Sequence, residues 1–294
     1  MIAFSATPAL EDAVEFACAS ETAWPRSMFY PDGSYVGNVE WNESGPWTDI
    51  LGPVAERGGP AGVVLHHGVR VAEWGDADRP DMTFSIAKSY ISVLAGLAVA
   101  DGLISDLDAP VGETVPGPHF SDPHNGRISW RHMLQMNSEW RGEIFGKNDQ
   151  VDHFRQIGAG ADNSRKGQRR EVGAPGSYYE YNDVRVNALS YALMCCFRRP
   201  LPDVLRDRIM RPVGASEDWT WEGYSTSWIE LDGTRMQSVP GGGHWGGGMV
   251  ISAQGAGGNC LWISPDDGIV AVMRWLNPAD QPRFLEKLVA ALGC

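Results

Sequence analysis

The sequence is short of positive charge, of long apolar runs and of patterned cysteine, and each shortage removes a class of function. Lysine and arginine number 24 against 37 acidic residues, a formal net charge of −13. Such a chain repels phosphate backbones and anionic lipid, so neither nucleic acid nor a membrane is an expected partner. The longest apolar run, residues 90–100, is roughly half of what a bilayer-spanning helix requires. The five cysteines (Cys18, Cys195, Cys196, Cys260 and Cys294) are odd in number, include one adjacent pair and form no C-x-x-C. That pattern argues against a disulfide framework or a zinc site. The opening stretch MIAFSATPALEDAVEF acquires acids early and has no basic segment, so no secretory leader is expected. A reducing cytoplasm is the expected compartment. No short-period repeat or low-complexity tail is present.

What is there is an ordinary globular composition. The 294 residues are 43% hydrophobic and 21% charged, enough for one large domain or two closely joined ones with a real core. Leu10, Val14, Phe16 and Ala17 recur at helical spacing and predict a helix over 9–19. Residues 24–60 are rich in Pro, Gly, Trp and Asn and read as irregular. AGVVLHHGVRVAEWG predicts a hairpin turning near His67-Gly68. A helix is expected over 85–100, ended by Asp101-Gly102, with shorter ones over about 130–136, 149–156, 183–197 and 202–210. After Pro212 the character changes. Alternating, aromatic segments flank Asp232-Gly233, and two strands flank residues 265–268. The C-terminal QPRFLEKLVAALG is amphipathic, apolar at Phe284, Leu285, Leu288, Val289 and Leu292. Strands near both ends with helices between them predict an α+β fold: an antiparallel β-sheet flanked by helices, with an inserted, mostly helical lobe. The expected division is a sheet domain of residues 1–80 and 215–294 and a mostly helical domain, 81–214.

The chemistry is concentrated in TFSIAKS, residues 83–89. On a helix Ser85 and Lys88 share a face. A serine hydroxyl is a poor nucleophile until a neighbouring base takes its proton. A lysine can act as that base only if burial or nearby positive charge lowers its pKa from about 10.4. The helix start adds free N–H groups where an oxyanion develops. A plainer alternative is that Ser85 caps the helix and Lys88 is solvated. S-x-x-K belongs to the catalytic motifs of β-lactamases and penicillin-binding proteins, so a second motif is worth seeking.

PGSYYEYNDVRVNALSYAL supplies it. Together with FSIAKSYISVLAGLAVADGLISDLDAPVGETVP and ISWRHMLQMNSEW, it resembles the class C β-lactamase superfamily, which includes family VIII carboxylesterases and 6-aminohexanoate-dimer hydrolases. The three blocks stand in the family's order over roughly residues 62–214, and the likeness resumes at the C-terminus. The resemblance implies a β-lactamase/transpeptidase-like fold and a serine hydrolase with no metal or organic cofactor. It implies Ser85 as the acylated nucleophile, Lys88 as its base partner and Tyr181 as the second proton carrier, the lysine and phenol titrating jointly. Tyr181 could instead be a core aromatic beside Tyr178 and Tyr179. The family's Tyr-x-Asn becomes Tyr181-Asn182-Asp183. Asp183 stands where an amide normally orients lysine and substrate; it either holds a charged Lys88 or merely caps the next helix.

The family's third motif, Lys-Thr-Gly or His-x-Gly, has its best counterpart in Ala253-Gln254-Gly255. The backbone N–H groups of Ser85 and Ala256 are then implied as the oxyanion hole. With Gln254 in place of a cation, the carboxylate of a β-lactam loses its usual partner, so small neutral esters or amides are the expected substrates. GGGHWGGGMVIS looks like a segment that normally precedes further helices and a strand, and a piece is expected to be absent between Ser252 and Ala253. Trp140, Trp221 and Trp245 are placed near the cleft by the resemblance. A catalytically impaired, β-lactamase-like binding protein and a weak β-lactamase are the alternative functions.

Other constellations lead nowhere. The glycines of residues 241–248 are not followed by Lys-Ser/Thr, so no phosphate loop is expected. His66 and His67, adjacent in a strand, should face opposite ways. His124, His132, His153 and His244 have no metal-ligand spacing. No metal site is expected.

Overall fold

Along the chain run helix α1 (Pro8–Ala19), strands β1 (Ala61–His66) and β2 (Val69–Trp74), helices α2 (Ala87–Ala100) and α3 (Asp183–Phe197), strands β3 (Ile251–Gly255), β4 (Asn259–Ser264) and β5 (Ile269–Arg274), and helix α4 (Gln281–Leu292). The computed structural model describes residues 7–42, 50–51, 54–157, 161–221, 223–224, 228–231, 234–237 and 251–294. The expected turn at Asp232-Gly233, the glycines of 241–248, His244 and Trp245 lie outside the described residues. The chain divides into two compact units, residues 1–43, 54–86 and 243–294 in one, 44–53 and 87–242 in the other.

The first unit is built on an antiparallel sheet in the order β2-β1-β5-β4-β3. The β1–β2 hairpin turns at His67 (φ 49) and Gly68 (φ 78). Two successive positive φ values are what a tight two-residue hairpin needs. That turn also corrects the expectation for the two histidines. His67 leaves the pleat, so the rings of His66 and His67 face each other, 4.2 Å apart. Among the described residues no cluster of three or more His, Cys, Asp or Glu could hold a metal.

One face of the sheet buries Val64, Ala72, Trp74, Cys260, Ile269, Ala271 and Met273 against Leu10, Ala13 and Ala17 of α1 and Phe284 and Leu288 of α4. Thr7 accepts the Leu10 N–H and caps α1, and Pro8 starts it where a missing N–H costs nothing. Phe284 and Leu288 are fully buried, each worth about 1.5–3 kcal/mol relative to exposure. β3 passes through Ser252 and Ala253 without a break, pairing them with Trp262 and Leu261 of β4.

The second unit packs α2 against α3. Ile91, Leu94, Ala95 and Ala98 meet Val184, Ala188, Leu189, Ala192 and Leu193, with Trp130, Met133 and Trp140 in the same core. α3 is buried on nearly every side, which is why its sequence shows no polar stripe. The helix expected over 149–156 is only a 3₁₀ turn, Asp149–Asp152, because Phe154 adopts φ 59 and the chain leaves helical geometry. Among the described residues no helix is long and apolar enough to cross a membrane.

The unit boundaries differ from the expected division. Ser85 falls with the sheet, because Phe84 packs edge-on against Trp24 and Trp275 at 5.5 and 6.2 Å. Residues 215–242 fall with the helices, where Gly223–Tyr224 pairs with Ile50–Leu51.

Candidate active site

Ser85 sits at the centre of a 3₁₀ turn, Phe84–Ile86, that leads directly into α2. The helix proper begins at Ala87, two residues later than the spacing predicts. Phe84 holds a left-handed backbone, φ 48, which for a bulky residue costs on the order of 1 kcal/mol and persists only under outside constraint. The two tryptophans gripping its ring supply that constraint. Ser85 itself is half-buried.

The end of β3 lies against this turn. A methyl group built on Gly255 would stand 2.1 Å from the Thr83 carbonyl oxygen, so only glycine allows the approach. Ala256 follows in a 3₁₀ turn, Ala256–Gly258, and Gln254 is exposed on the strand at the sheet's edge. The sheet unit therefore gathers Ser85, Gln254, Gly255 and Ala256.

The helical unit gathers the ionisable groups. Lys88, in the first turn of α2, is 8% exposed. Its Nζ donates to Tyr181 Oη at 2.7 Å and pairs with Asp183 Oδ1 at 2.8 Å, while standing 4.7 Å from the centre of the Tyr181 ring. Tyr181 is 5% exposed and immediately precedes the α3 cap. Arg155 Nη1 donates to Asp183 Oδ2 at 2.6 Å and to Asp152 Oδ1 at 3.3 Å, and its guanidinium carbon lies 5.0 Å from the Tyr181 ring centre. The Asp183 N–H donates to Asp152 Oδ2 at 2.9 Å.

These contacts set the charges. Burial by itself would lower the pKa of Lys88, but the charge of Asp183, the interaction with Tyr181 and the hydrogen bond to Asp183 together outweigh it and hold the amine above its ordinary value. Burial would likewise raise Asp183; the charges of Arg155 and then Lys88 overcome it and hold the carboxyl far below the usual range. At neutral pH the group is a buried ammonium and guanidinium sharing one carboxylate.

Several expected site residues are placed elsewhere. Asn182, 1% exposed, is the α3 cap: its side-chain oxygen accepts the N–H groups of Val184 and Arg185, and its amide donates to the Asp149 carbonyl at 2.8 Å. It is spent on structure, and the capping role offered as an alternative for Asp183 belongs to its neighbour. Trp140 is 1% exposed in the helical core, its indole N–H donating to the His119 carbonyl at 2.9 Å. No face of it is left for a substrate. Trp221 packs against the same core, and Trp245 lies outside the described residues.

Sequence reasoning missed Arg155 and Asp152, as well as the ion network beneath them. Arg170 joins Glu139 and Glu180 at 2.6 and 2.8 Å, and Arg185 reaches Glu139 and Asp149 at 3.1 and 3.4 Å. These charges are scattered singly over residues 139–185, and no local pattern marks them. The only signal is collective: an α3 this apolar cannot bury Arg185 without carboxylates drawn from elsewhere.

No curated protein matches the sequence. Solved structures share the fold at low identity. A candidate 6-aminohexanoate-dimer hydrolase from Bacillus anthracis has a TM-score of 0.52 and 14% identity, with 92% of this chain and 84% of that one covered. A β-lactamase from Mycobacterium bovis gives 0.52 and 16%, covering 80% and 95%. A penicillin-binding-protein homologue from Caulobacter crescentus gives 0.52 and 13%, covering 80% and 93%. Residues 50–227, more than half of the chain, match the family described as Beta-lactamase, and the protein belongs to that family.

Proposed function

We propose that the protein is a serine hydrolase that takes the acyl group of a small neutral ester or amide onto Ser85 and then releases it to water. The observation that carries this reading is the 2.7 Å contact of Lys88 Nζ with Tyr181 Oη in a buried setting, three residues along the chain from Ser85. Family membership supports it, as does the hydrolase name of the Bacillus anthracis neighbour.

In the proposed mechanism the Tyr181 hydroxyl first gives up its proton to solvent, and Ser85 Oγ then attacks the substrate carbonyl as its own proton passes to the resulting phenolate oxygen. Lys88, already an ammonium, cannot take that proton; it donates to Tyr181 Oη, and a cation so placed favours the phenolate form in this step. The backbone N–H groups of Ser85 and Ala256 receive the developing oxyanion. Collapse breaks the bond to the leaving group, which departs with the proton. Water then repeats the sequence on the acyl-enzyme, and Ser85 regains its proton. This chemistry calls on no metal and no organic cofactor. Gln254 offers no cation to a β-lactam carboxylate, so nitrocefin is expected to be turned over poorly. All five cysteines are free thiols, which suits a reducing cytoplasm.

One observation favours a second reading, an impaired relative that binds without turnover: Asp183 stabilises the charged form of Lys88, the wrong form for a base. Fluorophosphonate treatment followed by mass spectrometry separates the two. A hydrolase is modified at Ser85 and loses p-nitrophenyl butyrate turnover on Ser85→Ala. An unmodified Ser85, or turnover that survives the substitution, ends the hydrolase assignment.

A further inference from the structure

Asp183 lies between two cations, and each takes a different oxygen: Lys88 at Oδ1 and Arg155 at Oδ2. The same two cations bracket Tyr181, Lys88 Nζ 4.7 Å and the Arg155 guanidinium carbon 5.0 Å from the ring centre. Arg155 is itself held in place. Its side chain is 5% exposed, it reaches Asp152 Oδ1 at 3.3 Å, and its backbone N–H donates to the Asp152 carbonyl at 3.2 Å. Asp152 is fully buried and also receives Lys166 at 3.8 Å.

We propose that Arg155 is a positioning residue: by claiming one oxygen of Asp183 and lying over the Tyr181 ring, it limits how tightly Asp183 holds Lys88 and keeps the phenol against Nζ. Without Arg155 the whole carboxylate charge falls to Lys88, and the amine keeps its proton to higher pH. The direction follows from charge alone, since a guanidinium beside an ammonium disfavours the second proton. Of the other groups facing the cluster, Lys147 acts on Asp183 through its charge, and Tyr179 interacts with Lys88 and Tyr181. The effect of Arg155 on rate rests on the hydrolase reading; its effect on Lys88 does not.

The test uses lysine-selective ¹⁵N labelling, which is practical because the chain has only Lys88, Lys147, Lys166 and Lys287. The Lys88 Nζ signal is assigned by its loss in Lys88→Met and titrated in wild type, Arg155→Gln and Arg155→Lys. In Arg155→Gln, Lys88 should hold its proton to about one pH unit higher, a tenfold change in proton affinity. Because Arg155 also lies over the Tyr181 ring, its loss disfavours the phenolate that the proposed mechanism needs, so fluorophosphonate labelling of Ser85 at pH 7.5 should slow about tenfold, its pH profile should move toward alkali, and Arg155→Lys should restore both to within about threefold. A merely structural ion pair would lower the melting temperature without moving the lysine titration. Arg155→Met, of similar length, takes the place of Arg155→Gln if the latter does not fold. A folded variant whose Lys88 titrates as in wild type overturns the inference. A shifted titration in a protein whose wild-type Ser85 is never labelled upholds the inference and overturns the hydrolase reading instead.

Discussion

Lys88 Nζ stands 2.8 Å from Asp183 Oδ1 and 2.7 Å from Tyr181 Oη, so one buried ammonium joins a carboxylate to a phenol. The β-lactamase family pattern that the sequence resembles has an uncharged amide where Asp183 stands. The substitution changes what the lysine can do. Beside an amide, burial would dominate and favour the neutral amine; beside a carboxylate, the charge is kept and the amine becomes a hydrogen-bond donor. In the proposed mechanism the proton-accepting role then moves to Tyr181, acting as its phenolate.

Replacing Asp183 by Asn should reverse that exchange. With the carboxylate gone, burial and the Arg155 charge both push Lys88 toward its neutral form. The profile of p-nitrophenyl butyrate hydrolysis, measured from pH 5 to 10, is expected to move at least about one unit toward acid. An unchanged profile would mean that Asp183 does not govern the lysine.

Stability should fall in acid, with a sign fixed by the carboxylates. Asp183, Asp149 and Glu180 would each be raised by burial, but all are held below their ordinary values: Asp183 by Arg155 and Lys88, Asp149 by His153 and the Gly142 N–H, Glu180 by Arg170 and Arg185. A depressed folded value means that the unfolded chain binds more protons as pH falls. The stabilisation is thus complete above the unfolded carboxylate range of about 4 and drains away below it. Urea midpoints at pH 7 and 3.5 should differ markedly in wild type. The difference should shrink in Glu180→Gln, which begins less stable at pH 7 because Arg170 and Arg185 lose a buried partner.

The sequence was most legible where local rules act. The α1 and α4 stripes, the hairpin at His67-Gly68, the paired strands flanking residues 265–268 and the span of α3 all follow from periodicity and turn chemistry. Linked motifs pointed to Ser85, Lys88 and Tyr181, and the Lys88–Tyr181 contact joins two of them across 93 residues. What could not be read depends on tertiary placement. Arg155 follows a left-handed Phe154 and meets Asp183 only because a 3₁₀ turn ends where a helix was expected. Trp140 looks like a cleft residue by the family resemblance, but its indole N–H is consumed by the His119 carbonyl. Ser85 reads as helical, but its turn is set by rings at Trp24 and Trp275, far away in sequence.

Thiol reactivity provides an independent check of the sheet unit. Cys260 is 1% exposed on β4, and burial pushes its thiol up to about 12. Iodoacetamide at pH 8 should modify the exposed Cys18 and Cys294 while sparing Cys260. Peptide mapping should find Cys260 modified only after unfolding in urea. Its early modification in native protein would contradict the packing of β4 beneath α1 and α4.

The last prediction concerns the approach of β3 to the Ser85 turn. Gly255 has φ −120 and ψ 152, which alanine adopts freely, so Gly255→Ala introduces no backbone strain of its own. Its methyl group would nonetheless lie 2.1 Å from the Thr83 carbonyl oxygen, a backbone atom that cannot rotate aside. Either the strand end or the turn must move by about 1 Å, at an overpacking cost of roughly 1–3 kcal/mol. The proposed oxyanion donors, the N–H groups of Ser85 and Ala256, stand on opposite sides of that contact in the chain. Separating them should act on the transition state far more than on substrate binding: kcat should drop on the order of 100-fold with KM little changed. Steady-state kinetics on p-nitrophenyl butyrate, with circular dichroism to verify the fold, measures this split. A rise in KM at constant kcat would place the contact in substrate binding, and wild-type kinetics in a folded variant would remove this strand end from the reaction.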